Sequence, residues 1–286
     1  MSAKHNANRK VDLLAGLIVV AAALLLMVAT IYALGQLRGL PGDTPTTSAP
    51  DPTDPPATLA PNPYGPGDFA LDENGYLSCL AGEAWLGVDV SEHQGSIRWE
   101  KVASTDVRFA MVRLAYRGWG SEGRIRADSR GIENLNGAKD AGLQVGVYFF
   151  SQAITVEEAR EEARFLLTLL DGRELDLPVV YDWETVSSEQ ARTKDMTAAT
   201  LNACALAFCE EIRAAGYEAM VYFNQDLARR MFDLKALQRE ELDFWLAMYS
   251  ENMTWAYRVR MWQYTNTASV DGIKGNVDMN LYFPGV

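Results

Sequence analysis

Histidine and cysteine are nearly absent from this chain: two of the first, His5 and His93, and three of the second, Cys79, Cys204 and Cys209. His5 lies in the charged N-terminal stretch, so His93 stands alone in the rest. That excludes a multi-histidine metal centre and argues against a Ser-His-Asp triad. No CxxC pair occurs, which removes the thiol redox and zinc-ribbon motifs. Cys204 and Cys209 lie five apart on an expected helix and point to different faces, so buried free thiols are expected. Basic residues are also scarce. Beyond residue 38 there are 22 Lys and Arg against 37 Asp and Glu. A nucleic-acid partner is thereby excluded, because such binding rests on Lys and Arg neutralising phosphates. The acidity otherwise serves solubility. No metal or cofactor is expected, and the chain is expected to act as a monomer.

Long apolar runs are missing too, with one exception. Residues 13–34, "LLAGLIVVAAALLLMVATIYAL", carry no charge and are bracketed by Asp12 and Arg38. About 22 residues at 1.5 Å each span roughly 33 Å, enough to cross a bilayer and longer than the h-region of a cleaved signal peptide. The expectation is a signal anchor over 13–37. Lys4, Arg9 and Lys10 precede it and Arg38 alone follows closely. The positive-inside rule then makes 1–12 a cytoplasmic tail and places the remainder outside, in a single-pass protein of the cell membrane. Nine of the eleven prolines fall within 41–67. Residues 38–67 therefore read as a Pro/Thr-rich linker, able to reach roughly 80 Å as polyproline II.

What is present begins at about Asp68. Apolar strand-like stretches alternate with helical ones across 68–286. Strands are expected at Leu86–Val90, Arg108–Tyr116, Val145–Phe150, Pro178–Asp182, Ala219–Phe223, Phe244–Tyr249, Val259–Tyr264 and Asn276–Asn280. Helices are expected at Ser129–Ala141, Val156–Leu170 and Ala198–Ala215, closed by Ala-Gly or Asp-Gly pairs that suit C-terminal caps. Eight strands in this alternation predict an α/β protein, a single closed (β/α) barrel of the TIM type with a mainly parallel sheet. Function in such barrels gathers at the C-terminal strand ends.

Those ends share a chemistry. The first offers Asp89, the second Arg113 and Tyr116, the third Tyr148, the fourth Asp182 and Glu184. The fifth offers Tyr222, the seventh Trp262, Gln263 and Tyr264, and the eighth Asp278. Aromatic faces and hydrogen-bonding carboxylates suit a sugar polymer. In "LPVVYDWE" the two acids lie two apart, on one strand face. Like charges held together away from water raise one pKa, and an acid still protonated near neutral pH can protonate a glycosidic oxygen. Asp182 is the neighbour expected to hold the proton on Glu184. "GWGSEG" matches G-x-G-x-x-G, but no helix opens there and no acid follows on the next strand, so a cleft loop is expected instead of a dinucleotide site. His93 reads as a structural hydrogen-bonder and Trp183, between the two acids, as packing.

"GVDVSEHQGSIRWEKV", "FAMVRLAYRGWG", "AGLQVGVYFF", "LPVVYDWE", "MVYFN", "FWLAMY" and "MWQYTNTASVDGIKGNVDMNLYF" occur in one order. Together they resemble glycoside hydrolase family 25, the Chalaropsis-type lysozymes, from about Trp85 to Phe283. The resemblance implies a flattened, irregular barrel. It also implies an N-acetylmuramidase cleaving β-1,4 bonds between N-acetylmuramic acid and N-acetylglucosamine in peptidoglycan. It assigns Glu184 as general acid, with Asp182, Asp89 and Asp278 as its partners. Retention of configuration is implied, with the substrate's acetamido group as nucleophile and Asp182 orienting it. One departure is Phe149, where many members carry a His. The alternative function is a catalytically silent, membrane-tethered barrel that binds glycan, which would be expected to lack the acids; chitin is an alternative substrate.

Overall fold

The structure, a computed structural model, describes residues 58–286. The tail at 1–12, the anchor at 13–37 and the linker through residue 57 lie outside the described residues. Among the described residues no helix is long and apolar enough to cross a membrane.

Every residue of Val179–Trp183 is buried, as a strand must be when both its faces are covered. The same holds for most of its neighbours, and the pattern resolves into a barrel. Two short strands, β1 (Phe69–Leu71) and β2 (Leu77–Cys79), form an antiparallel hairpin ahead of it. The barrel strands are β3 (Trp85–Val90), β4 (Phe109–Arg117), β6 (Gln144–Ser151), β7 (Val179–Trp183), β8 (Ala219–Asn224), β9 (Asp243–Ala247), β10 (Met261–Ala268) and β11 (Val277–Tyr282). The short β5 (Ile125–Ala127) adds to the outer part of β4. Pairing runs β3-β11-β10-β9-β8-β7-β6-β4 and returns from β4 to β3, so the sheet closes on itself. Seven strands are parallel. β11 alone runs against both its neighbours.

All six α-helices of the described residues lie between barrel strands up to β9: α1 (Trp99–Val102), α2 (Gly131–Asp140), α3 (Val156–Leu170), α4 (Ala198–Ala214), α5 (Gln225–Arg230) and α6 (Leu234–Arg239). The last two follow one another between β8 and β9. Thr155 and Thr197 cap α3 and α4 through their hydroxyls, and Asp171 closes α3 in the left-handed conformation ahead of Gly172. No helix separates β9, β10 and β11, in keeping with the thinning of helical pattern after Leu237.

Strand alternation divides the core. Phe109, Met111, Val180, Met220, Trp245, Met261 and Tyr282 fill the barrel interior. Val88, Val112, Val147, Phe149, Tyr181, Trp183, Phe223 and Trp262 face outward into the layer beneath the helices. Gly87 faces in, and a Cβ there would lie 2.3 Å from the Phe109 ring. Gly87→Ala is therefore expected to destabilise by about 1–3 kcal/mol, the usual cost of overpacking. Thermal denaturation checks it, and an unchanged midpoint would mean the ring has room to move.

The packed unit starts earlier than residue 68. The Asn62 amide donates to the Ala256 carbonyl at 2.9 Å, and its side chain donates to the Trp255 carbonyl at 3.0 Å. The Tyr64 ring lies 4.9 Å from that of Phe283, and Leu59 packs against the same core. Proline density concealed this, because Pro61 and Pro63 lack the N–H that marks a pairing strand while the anchoring is done by the residues between and around them.

Candidate active site

Inward-facing residues at the upper ends of the strands surround a cavity of about 240 Å³. Asp89, Asp182, Glu184 and Asp278 all line it, with Arg113, Tyr148, Tyr222 and Gln263. Asp278 reaches this end for a reason that sequence order hides. Because β11 is reversed, its first residues, not its last, lie at the mouth, and Asp278 pairs opposite Asp89.

Asp89 is 6% exposed, and its Oδ2 accepts two hydrogen bonds of 2.8 Å, from Gln263 Nε2 and Asn280 Nδ2. Burial raises its pKa to about 6, and these two donors hold it down from a larger rise. Glu184 is raised to about 7, by burial first and by the charge of Asp89 second. Asp278 is raised to about 8 by burial, then by Asp89 and Glu184. Asp182 is pushed well above the carboxylate range by burial, then by Glu184 and Asp89. Its Oδ1 is buried with no hydrogen-bond partner among the described residues, and the charge of Arg113 is the opposing influence that favours its anion.

The two donors favour the charged form at Asp89, and the charge of Asp89 raises the pKa of the other three. This differs from the expectation that Asp182 carries that charge. Sharing a strand face with Glu184 does not settle which acid ionises; donors do, and only Asp89 has two. The one cation at the site is largely spoken for. Arg113 Nε donates to Asp128 Oδ2 at 2.8 Å, its NH2 reaches Glu92 Oε1 at 3.4 Å, and its guanidinium lies 4.9 Å from the centre of the Tyr116 ring.

Tyr116 thus stacks on Arg113 but does not line the cavity; a bulge between Arg113 and Ala115 shifts the parity of β4 there. Trp262 and Tyr264 are not in the cavity either. They flank Gln263 on a strand and so point to its opposite face. Trp262 is fully buried and donates to the Met248 carbonyl at 2.7 Å, while the Tyr264 hydroxyl accepts from the Leu77 amide of β2 at 3.3 Å. Phe149 faces outward against Phe208, so the departure from the family pattern does not touch the cavity. His93 lines it.

Several residues of the site escape sequence reasoning. Trp245 and Tyr249 line the cavity and were findable, since they share the inward parity of β9. Asn280, Asp128 and Gln152 carry no pattern. Gln152 is fully buried. Its Nε2 donates to the main-chain carbonyl of Glu184 at 2.9 Å, and its Oε1 accepts from Thr193 Oγ1 at 3.1 Å. The carbonyl of Gln152 in turn accepts from Arg192 NH1 at 3.0 Å. The loop after β7 is thus tied to β6 at the residue that carries the acid. Gln152→Leu is expected to lower kcat about tenfold with KM little changed, since a misplaced reacting group costs rate steeply. Steady-state kinetics check it, and a loss confined to KM would assign Gln152 to binding instead.

Acids and aromatics gathered at the C-terminal mouth of a β/α barrel, with two of the acids raised to about 7 and 8, define a glycoside hydrolase. The comparisons agree. The sequence profile of glycosyl hydrolases family 25 matches residues 88–273, and the chain belongs to that family. Lysozyme M1 of Streptomyces globisporus is 25% identical over 208 residues, 68% of this chain and 67% of its own. The autolytic lysozyme of Clostridium acetobutylicum is 23% identical over 203 residues, 70% of this chain and 56% of its own. Among solved structures, the modular autolysin LytC of Streptococcus pneumoniae, in complex with a synthetic peptidoglycan ligand, superposes with a TM-score of 0.61 at 26% identity. The match covers 75% of this chain and 50% of LytC, so this chain spans about half the length of that protein.

Proposed function

We propose that the protein hydrolyses peptidoglycan glycan strands at the β-1,4 bond between N-acetylmuramic acid and N-acetylglucosamine, retaining configuration with help from the substrate's own acetamido group. The observation that carries this reading is the pair formed by a proton-holding Glu184 and a buried Asp182 whose Oδ1 lacks a donor. An acetamido N–H is a donor of the right kind for that oxygen, and its hydrogen bond favours the Asp182 carboxylate over the acid, so any proton on Asp182 leaves to solvent as substrate binds.

The steps follow. Glu184 gives its proton to the glycosidic oxygen as the C1–O bond breaks, so the leaving sugar departs as an alcohol. The acetamido carbonyl oxygen bonds to C1, and the positive charge of the resulting ring is shared with the N–H that Asp182 holds. Water then adds to C1 as the bond between C1 and the acetamido oxygen breaks, which regenerates the acetamido group, and the water gives a proton to Glu184, restoring the acid. Asp89 supplies the negative charge in whose field Glu184 titrates. Tyr148, Tyr222 and Trp245 supply ring faces and hydroxyls for the sugar.

Mass spectrometry of fragments released from purified peptidoglycan tests the bond. Reducing-end muramic acid is expected. Reducing-end glucosamine would make the enzyme a glucosaminidase, and binding without release would leave a silent glycan-binding barrel.

The same reading tethers the barrel outside the cell by the apolar segment 13–37. Protease added to intact protoplasts is expected to remove the barrel and leave a small membrane stub. A protected barrel would reverse the orientation, and a barrel free in the medium before protease would mean cleavage after the segment. A soluble fragment for these assays should begin at about residue 58, since Leu59, Asn62 and Tyr64 belong to the packed unit.

A further inference from the structure

A second hollow, of about 590 Å³, opens beside the catalytic cavity. Tyr249 lines both. Its side chain is 55% exposed, and its hydroxyl donates to Gln263 Oε1 at 3.2 Å, which fixes the ring between the two spaces. One wall of the hollow is the β1–β2 hairpin, through Leu71 and Gly75. The rest comes from the loop after β9, with Asn252, and the end of β10, with Asn266 and Thr267.

The hairpin lies ahead of the segment, 88–273, that matches the family profile, and it is firmly seated. Asp72 Oδ1 accepts from the amides of Asn74 and Tyr76, both at 2.8 Å, which makes the turn. The Tyr76 hydroxyl donates to the Ser269 carbonyl at 2.9 Å, and the Phe69 ring meets Trp262 edge-on at 5.1 Å. The hollow is therefore a preformed groove that adjoins the catalytic cavity and shares Tyr249 with it.

Its chemistry selects among the parts of the proposed substrate. Among the described residues Glu251 is the one charged side chain in the lining, which includes no Lys, Arg or His. Peptide stems of peptidoglycan bring carboxylates, which such a lining does not pair. An N-acetylhexosamine brings an apolar ring face for an exposed tyrosine and neutral hydroxyl and acetamide groups for Asn and Thr side chains. We infer that this groove binds uncharged N-acetylhexosamine units of the same glycan strand, beyond those flanking the bond that is cut. The inference rests on the proposed function and adds that the N-terminal hairpin makes this enzyme prefer long strands.

Asn252→Ala combined with Asn266→Ala removes two polar contacts outside the catalytic cavity, and Thr267→Trp fills the groove. Both are assayed on long glycan strands, peptide-free and peptide-bearing, and on the shortest oligosaccharide that the unaltered enzyme cleaves. With the long strand kcat/KM is expected to fall about tenfold or more, as for the loss of two hydrogen bonds. With the short one it is expected to stay unchanged. Equal losses on both substrates, or no loss on either, would overturn the inference, and a loss seen only with peptide-bearing strands would assign the groove to the stems. Calorimetric titration of peptide-free strands into Glu184→Gln protein, with and without the groove substitutions, gives an independent reading. Weaker binding by the groove variants supports the inference even if the unaltered enzyme cuts a different bond, and identical binding refutes it.

Discussion

Glu184→Gln is expected to leave a folded protein that still binds glycan and turns it over about 10²–10⁴-fold more slowly, the usual worth of a positioned general acid. Gln keeps the size of the side chain and can accept a hydrogen bond, but it has no acidic proton to give. The main-chain carbonyl of Glu184, held by Gln152, is unaffected, so position is preserved while chemistry is lost. Turnover of peptidoglycan and binding to the same glycan, measured on one preparation, separate the two. Near-normal turnover would remove Glu184 from the mechanism.

A comparably large loss is expected for Asp182→Asn, on the order of 10²-fold or more, because a neutral amide cannot share the positive charge of the acetamido intermediate. The pH profile then distinguishes Asp182 from Asp89. Glu184 must be protonated to act, and with its pKa raised to about 7 the alkaline limb of kcat/KM is expected near that value. Removing a neighbouring negative charge lowers the pKa and moves the limb to lower pH. Two donors favour the anion of Asp89, whose charge raises Glu184, while burial raises Asp182, so Asp89→Asn is expected to shift the limb down clearly and Asp182→Asn less. If Asp182→Asn produced the larger shift, the order of ionisation would be reversed.

Much of the barrel was legible in the chain, and the reasons are local. A strand such as β7, buried on both faces, needs an unbroken apolar run, and "LPVVY" supplies it. Helices α3 and α4 announce their ends through Thr155, Thr197 and the Gly after each last turn. The site was legible where a strand end coincided with an acid, as at Asp89 and Asp182. It was not legible where three-dimensional partners decide. The donors that make Asp89 the most acidic of the four come from Gln263 and Asn280, 174 and 191 residues away. Trp262 shows the converse: aromatic type suggested sugar contact, while the parity of β10 turned its ring away from the catalytic cavity and into the core; Tyr264 leaves that cavity too but lines the second hollow. The hairpin at 69–79 escaped because three-residue strands carry too little alternation to register.

The closure of the barrel by β11 also bears on how activity arises during synthesis. β3 finds β4 soon after both have left the ribosome, but its other edge must wait for residues 277–282, nearly two hundred positions later. Until then the barrel stays open along that seam. Asp89 lacks the Asn280 donor, and Asp278 is not yet beside it. Such distant pairing is slow by nature. It also means that a nascent hydrolase cannot hold its acids in working order before its last strand is in place.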